Sequence, residues 1–312
     1  MALDALPALS MRDRRGDPQG FARAMGESYA RFGFAIVRDH GLDPATIACA
    51  LDAAKRFFAL PEEVKRRYHV AGGAGQRGYV PFGMEAAKGA AQVDLKEFWH
   101  VGRELQEGHR YRQFMPRNLW PEEIPAFCDS VYALYQALDE LGLDLLQSIA
   151  FFLDLPENFF REPVRDGNSV LRLLHYPPTP PAPAGVRAEA HEDINVITLL
   201  LGAEEAGLQL LTREGRWLDV NPPDGAAVVN IGDMLQRLTN HVLPSTTHRV
   251  VNPAPERAHV PRYSIPFFLH FAPDYQIETL PSCIGAARPN RYPQPITAQD
   301  FLYERLREIR LA

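Results

Sequence analysis

The apolar residues of this chain change their repeat at about Asn168, and that change restricts the fold more than any other feature. Upstream they recur at helical spacing. Downstream they form short runs split by Gly, Pro, Asn and Asp. Helices and strands need periods of 3.6 and 2, so the chain carries helices first and strands after. Asp17-Pro18 is an N-cap with Pro in the first turn, and Phe21, Met25, Tyr29 and Phe32 follow at helical spacing. Phe34-Ala35-Ile36-Val37 predicts a short buried strand. Asp43-Pro44 opens a second helix with Ile47, Leu51, Ala54 and Phe58 on one face. Residues 71–93, rich in Gly and Ala, predict a loop carrying Arg77-Gly78-Tyr79 and Lys88-Gly89. Pro121 to about Leu153 predicts the longest helix, on Ile124, Phe127, Val131, Leu134, Leu138, Leu141, Leu145 and Ile149; Gly142 weakens it slightly. Pro177 to Gly185 is a Pro-rich connection, and Thr297 to Leu311 predicts a closing helix on Phe301, Leu302, Leu306 and Ile309.

The expected fold class is therefore mainly β with helices (α+β). A helical N-terminal accessory region packs on an antiparallel double-stranded β-helix, or jelly roll, which can enclose a ligand cavity. The expected divisions are 1–120 for the accessory domain, 121–167 for the long helix and connection, and 168–312 for the jelly roll with its C-terminal helix.

Within the strand-rich half, His191-Glu192-Asp193 has a spacing with a structural meaning. Residues i and i+2 share a side only on extended backbone; on a helix they diverge by about 200°. His191 and Asp193 can thus share a metal ion if the segment is extended, with Glu192 pointing away. Two histidines and one carboxylate on one face of a metal leave the opposite face open, and His248 offers the second imidazole. His191-Glu192 also starts like a zinc-protease H-E-x-x-H, but position 195 is Asn, so the second histidine is missing. His241 is assigned no ligand role, and His175, His259 and His270 are read as core or surface residues.

Composition removes other classes. With 312 residues and 46% hydrophobic content, the chain can bury a large core. Net charge is −6 without a basic block, so neither a nucleic-acid backbone nor an anionic membrane is an expected partner. Cys49, Cys128 and Cys283 are far apart and odd in number, which predicts reduced thiols and a cytoplasmic location. No signal peptide or membrane span is expected.

The motifs in order are H-x-D, then Ile194-Asn195-Val196-Ile197-Thr198-Leu199-Leu200, Gly207-Leu208-Gln209-Leu210, Trp217-Leu218-Asp219-Val220, Val228-Val229-Asn230-Ile231-Gly232-Asp233, Thr239-Asn240, His248-Arg249-Val250 and Arg262-Tyr263-Ser264-Ile265-Pro266-Phe267-Phe268. This order resembles the catalytic domain of the isopenicillin N synthase-like Fe(II)- and 2-oxoglutarate-dependent dioxygenases. Gly33 to Val37, Asp39-His40-Gly41, Phe57 to Pro61 with Lys65, Arg77-Gly78-Tyr79 and Asp94-Leu95-Lys96-Glu97 resemble that family's accessory domain. The likeness covers nearly the whole chain.

The resemblance implies Fe(II) held by His191, Asp193 and His248, with 2-oxoglutarate and O2 as co-substrates. Arg262 and Ser264, two apart on a strand, would hold the distal carboxylate of 2-oxoglutarate, the guanidinium binding it bidentately. Tyr176 would add a hydroxyl. Many plant members carry Asn two residues before this Tyr, where this chain has Leu174. Arg172 shares a face with Leu174 and Tyr176, and suggests a small anionic or zwitterionic substrate; Phe82, Phe98 and Phe268 are candidate pocket walls. The implied activity is oxidation of a small-molecule metabolite, hydroxylation by default, with release of succinate and CO2. Three alternatives remain open: an O2-dependent oxidase that does not use 2-oxoglutarate, an ethylene-forming enzyme of the same family, and a non-catalytic metal-binding jelly roll.

Overall fold

The computed structural model describes residues 5–85, 93–178, 185–202 and 207–308. Lys88-Gly89, most of the Pro-rich connection and Ile309 to Leu311 lie outside the described residues. Twelve strands build two facing sheets among the described residues. They are β1 (Ala8–Ser10), β2 (Phe34–Arg38), β3 (Gly78–Val80), β4 (Glu97–Gly102), β5 (Val170–Tyr176), β6 (Ala188–His191), β7 (Ile197–Leu201), β8 (Leu208–Leu211), β9 (Trp217–Asp219), β10 (Ala227–Ile231), β11 (His248–Val250) and β12 (Arg262–Leu269). The large sheet runs β1-β2-β10-β7-β12-β5-β4-β3, and the small one β6-β11-β8-β9. Only β1 and β2 pair in parallel; the other pairings are antiparallel.

The accessory half is therefore not simply helical. Its strands β1 to β4 occupy both ends of the large sheet. The predicted loop over 71–93 contains strand β3, because Gly78, Tyr79 and Val80 pair with His100, Trp99 and Phe98. Pairing partners so far away in sequence leave no local signal.

Two faces of the large sheet have different tasks. One packs on helices. The helix Pro18–Phe32 begins where Asp17 accepts a hydrogen bond from Gly20 N–H, and Pro44–Phe58 begins where Asp43 accepts from Ala45 N–H. Both lie against Phe127–Phe152, which in turn packs on β4, β7 and β12. This long helix starts six residues later than the apolar repeat predicts, because residues 121–126 form turns. Its Leu134, Leu138, Leu145 and Ile149 are fully buried. Gly33 ends the first of these helices in the left-handed region and turns the chain into β2, and a Cβ there would lie 2.1 Å from Thr246 Oγ1. Between the two sheets sits a second apolar cluster, with Phe34 and Val228 from one and Ala188, Leu210 and Val250 from the other. The inner face beyond that cluster is left for chemistry. The closing helix is Ala298–Glu308. Cys49, Cys128 and Cys283 are free thiols. No helix among the described residues is long and apolar enough to cross a membrane.

Candidate active site

His191 ends β6 and His248 begins β11, and the two are directly paired across these strands. Asp193 lies just past the end of β6 rather than in the strand. The candidate ligand atoms of the three residues lie within 4.8 Å of one another. Each histidine Nε2 is 3.9 Å from Asp193 Oδ1. The exposed Glu192 points elsewhere and accepts a hydrogen bond from Thr247 Oγ1 at 2.9 Å.

The surroundings aim these donors. His191 Nδ1 faces the Glu189 carbonyl at 2.7 Å, and His248 Nδ1 faces that of Thr246 at 3.1 Å. A ring nitrogen facing a carbonyl must carry the proton, so both Nε2 lone pairs are free for a metal. Asp193 Oδ2 accepts from Thr198 Oγ1 at 2.5 Å and from Asn230 Nδ2 at 2.8 Å, which leaves Oδ1 as the ligand. Burial and the neighbouring His248 lower the His191 pKa to about 4, so its imidazole is neutral at pH 7. Burial opposes ionisation of Asp193, but the facing histidines and the two hydrogen bonds hold its carboxyl below the usual range. Two imidazoles and one carboxylate, converging with their second atoms occupied, fit a mononuclear Fe(II) that keeps open positions.

Arg262, Ser264 and Tyr176 come together on the paired strands β12 and β5. Arg262 and Ser264 are each 1% exposed. Arg262 Nη1 donates to Ser264 Oγ at 3.1 Å, and its guanidinium lies 5.0 Å from the Tyr176 ring centre. Arg262 is directly opposite Tyr176, and Ser264 opposite Leu174.

A cavity of about 630 Å³ reaches His191 and Asp193 and is lined by Arg172, Phe98 and Phe268, as the sequence suggests. Phe82 is not among its lining residues; it lies in a turn just after β3 and its side chain is exposed to solvent. Arg172 is not a lone cation. Its Nη1 is 3.3 Å from Glu85, and its Nε donates to His100 Nε2 at 2.6 Å. Lys96 joins the same cluster, 2.7 Å from Asp94 and 3.5 Å from Glu85. Burial opposes the charge on Glu85, yet Arg172 and Lys96 bring its pKa down to about 2. Two cations thus face two carboxylates.

His270, read as core or surface from sequence, is buried and lines the cavity. His175 is a core residue bonded to Glu97 at 2.7 Å, His259 is exposed, and His241 contacts Tyr292 rather than the metal site. Thr198, Asn230, Glu85, His100 and Asn168 join the site without a sequence signal of their own. Thr198 and Asn230 do stand within the ordered motifs. Glu85 and His100 arrive from strands and loops whose pairing is remote, and carry no motif.

Residues 6–123 match the family described as non-haem dioxygenase in morphine synthesis N-terminal, and residues 167–271 match the 2OG-Fe(II) oxygenase superfamily. The 2-oxoglutarate-Fe(II) type oxidoreductase hxnY of Emericella nidulans is 36% identical over 88% of this chain and 81% of its own. A crystal structure assigned to the 2OG-Fe(II) oxygenase family from Caulobacter crescentus is 59% identical, with a TM-score of 0.92 over 98% of this chain and 99% of that one. A full-length Neurospora crassa protein, crystallised with alpha-KG and thymine, is 28% identical with a TM-score of 0.86 over 98% of both chains. The triad geometry and these likenesses agree: the chain belongs to the non-haem Fe(II)- and 2-oxoglutarate-dependent oxygenases, with His191, Asp193 and His248 as its iron ligands.

Proposed function

We propose that this enzyme hydroxylates a small polar metabolite, with Arg262, Ser264 and Tyr176 holding the distal carboxylate of 2-oxoglutarate. The observation that carries this reading is the buried Arg262–Ser264 pair opposite Tyr176, on a strand that also lines the metal cavity. Bound iron supplies the oxygen activation. The chain supplies orientation, through the Glu189 and Thr246 carbonyls and through Thr198 and Asn230, and it excludes water with Phe98 and Phe268. The overall reaction balances as substrate C–H plus O2 plus 2-oxoglutarate giving C–OH, succinate and CO2. Arg172 alone would favour an anionic or zwitterionic substrate. Its pairing with Glu85 removes that reason, and Lys96 is likewise matched by Asp94. The Neurospora relative binds thymine, a small uncharged ring, which is consistent with this reading.

The test is an anaerobic titration with Fe(II) and then 2-oxoglutarate, followed by a metabolite screen for substrate-stimulated succinate under O2. Stoichiometric succinate and a product carrying one atom from 18O2 support hydroxylation. O2 consumption without succinate would establish the oxidase reading, released ethylene the ethylene-forming one, and metal binding without O2 consumption the non-catalytic one.

A further inference from the structure

The substrate end of the cavity has a defined hydrogen-bonding pattern. Asn168, Val170 and Arg172 on one side, and Phe268 and His270 on the other, all line it. Each set is spaced by two, as residues on one face of a strand must be. Val170 and Phe268 are direct partners across β5 and β12, so the two sets meet at one end of this strand pair.

Arg172 is held in place and has donors to spare. The Phe98 and Phe268 ring centres lie 4.1 and 5.2 Å from its guanidinium carbon, while Glu85 and His100 fix its orientation. A guanidinium has five N–H groups. Two are used here, and the rest have no partner among the described residues. The same strand pair also brings acceptors to the cavity. Asn168 is 5% exposed, and its Oδ1 is buried without a hydrogen-bond partner. His270 Nδ1 faces the Phe268 carbonyl at 3.0 Å, so that nitrogen carries the proton and Nε2 is a bare acceptor. A buried acceptor left unmet costs about 1–3 kcal/mol, so a ligand that donates to it gains relative to one that does not. The Arg172–Glu85 and Lys96–Asp94 pairs leave no net charge for an ion to answer, and the two phenyl rings favour a flat apolar body.

We propose that the cavity takes an uncharged, planar lactam- or imide-type ring, its carbonyl on Arg172 and its ring N–H on Asn168 and His270. This inference rests on the oxygenase reading above for its biological meaning, but it can be tested apart from turnover. The protein loaded with Fe(II) is titrated anaerobically, with and without 2-oxoglutarate, by calorimetry. The probes are 2-pyridone and uracil, their N-methylated counterparts, and the ring-matched carboxylates benzoate and nicotinate. The expected result is that rings with a free N–H bind at least tenfold more tightly than N-methylated rings or carboxylates. Asn168→Leu should shrink the gap between the N–H and N-methyl forms to under threefold. Glu85→Gln, which leaves Arg172 uncompensated, should shift the preference at least tenfold towards carboxylates. If that variant does not fold, the wild-type ranking and Asn168→Leu still decide. The proposal is overturned if wild-type protein prefers the carboxylates, if no probe binds, or if Asn168→Leu keeps the full gap. Failure of 2-oxoglutarate to bind would overturn the oxygenase reading instead, and the ring titration without 2-oxoglutarate would still judge the inference.

Discussion

Arg262 is a buried guanidinium that donates to the Ser264 hydroxyl and lies over the Tyr176 ring, and its fork of N–H groups can hold a carboxylate bidentately. Arg262→Ala should weaken 2-oxoglutarate binding by about 2–5 kcal/mol, the usual cost of breaking a buried charge pair. That is roughly 30-fold to several thousand-fold in the dissociation constant. Arg262→Lys should recover only part, since the bidentate fork is lost. Unchanged affinity in the alanine variant would favour the oxidase reading. Thr198 acts one step further out, by holding Asp193 Oδ2. Thr198→Val should lower Fe(II) affinity about 10- to 100-fold, the usual effect of losing an outer partner of a metal ligand. A metal titration that gave the wild-type constant would remove Thr198 from that role. Residues of this kind are partly legible in sequence. His191 and Asp193 stand two apart and converge at one point, and Arg262 and Ser264 stand two apart in a strand, so local spacing already marks each pair. Glu85 and His100 were not legible. Their meaning depends on Arg172, 87 and 72 positions away respectively.

The helices support the outer face of the large sheet, and two of them meet closely at a glycine. A Cβ on Gly26, in the helix Pro18–Phe32, would lie 2.1 Å from the Phe152 ring at the end of Phe127–Phe152. Gly26→Ala gains up to about 1 kcal/mol of helix propensity. It should nonetheless lower stability, because overpacking a close contact costs about 1–3 kcal/mol. Urea unfolding would register this as a lower midpoint with an unchanged slope, and a raised midpoint would show that Phe152 yields freely. Most of these elements were readable in advance. Asp17-Pro18 and Asp43-Pro44 mark helix starts through capping, which is local chemistry. Strand β3 is harder, since Gly78-Tyr79-Val80 becomes a strand only by meeting Phe98, Trp99 and His100. The start of the long helix was also misplaced, because apolar spacing at Ile124 continues through turns that bury the same side chain without helical geometry.

On the scale of the whole molecule, burying several neutral histidines ties stability to pH. Burial lowers the pKa of His270 to about 4, burial together with the neighbouring His248 brings His191 to about 4, and burial beside Arg172 lowers His100 well below its usual value. Histidines in an unfolded chain titrate near 6.5. Between about pH 6.5 and 4 the unfolded chain therefore binds protons that the folded chain refuses, so stability rises with pH across that window. Their contribution is present above pH 6.5 and is lost as pH falls through about 4. Asp233 acts in the opposite sense. Burial raises its pKa to about 6, so its folded carboxyl holds a proton that an unfolded one releases above about 3.8, and its contribution is lost as pH rises through 6. Burial likewise raises Asp139 above its usual range, despite the facing Arg103. Three histidines against these two carboxyls leave a net rise, reinforced at the acid end by Glu85, whose contribution disappears only as pH falls from about 4.5 towards 2. Urea midpoints of metal-free protein should accordingly increase from pH 4.5 to 6.5 and then level off. His270→Gln should flatten that rise by about one proton's worth of slope. Adding Fe(II) should raise the midpoint at pH 7, since a ligand that binds only the folded state stabilises it by mass action. That gain should fade as His191 takes up its proton near pH 4. A midpoint that is constant between pH 4.5 and 6.5 would mean that these histidines are solvated in the folded protein, and that the cavity is wetter than its packing implies.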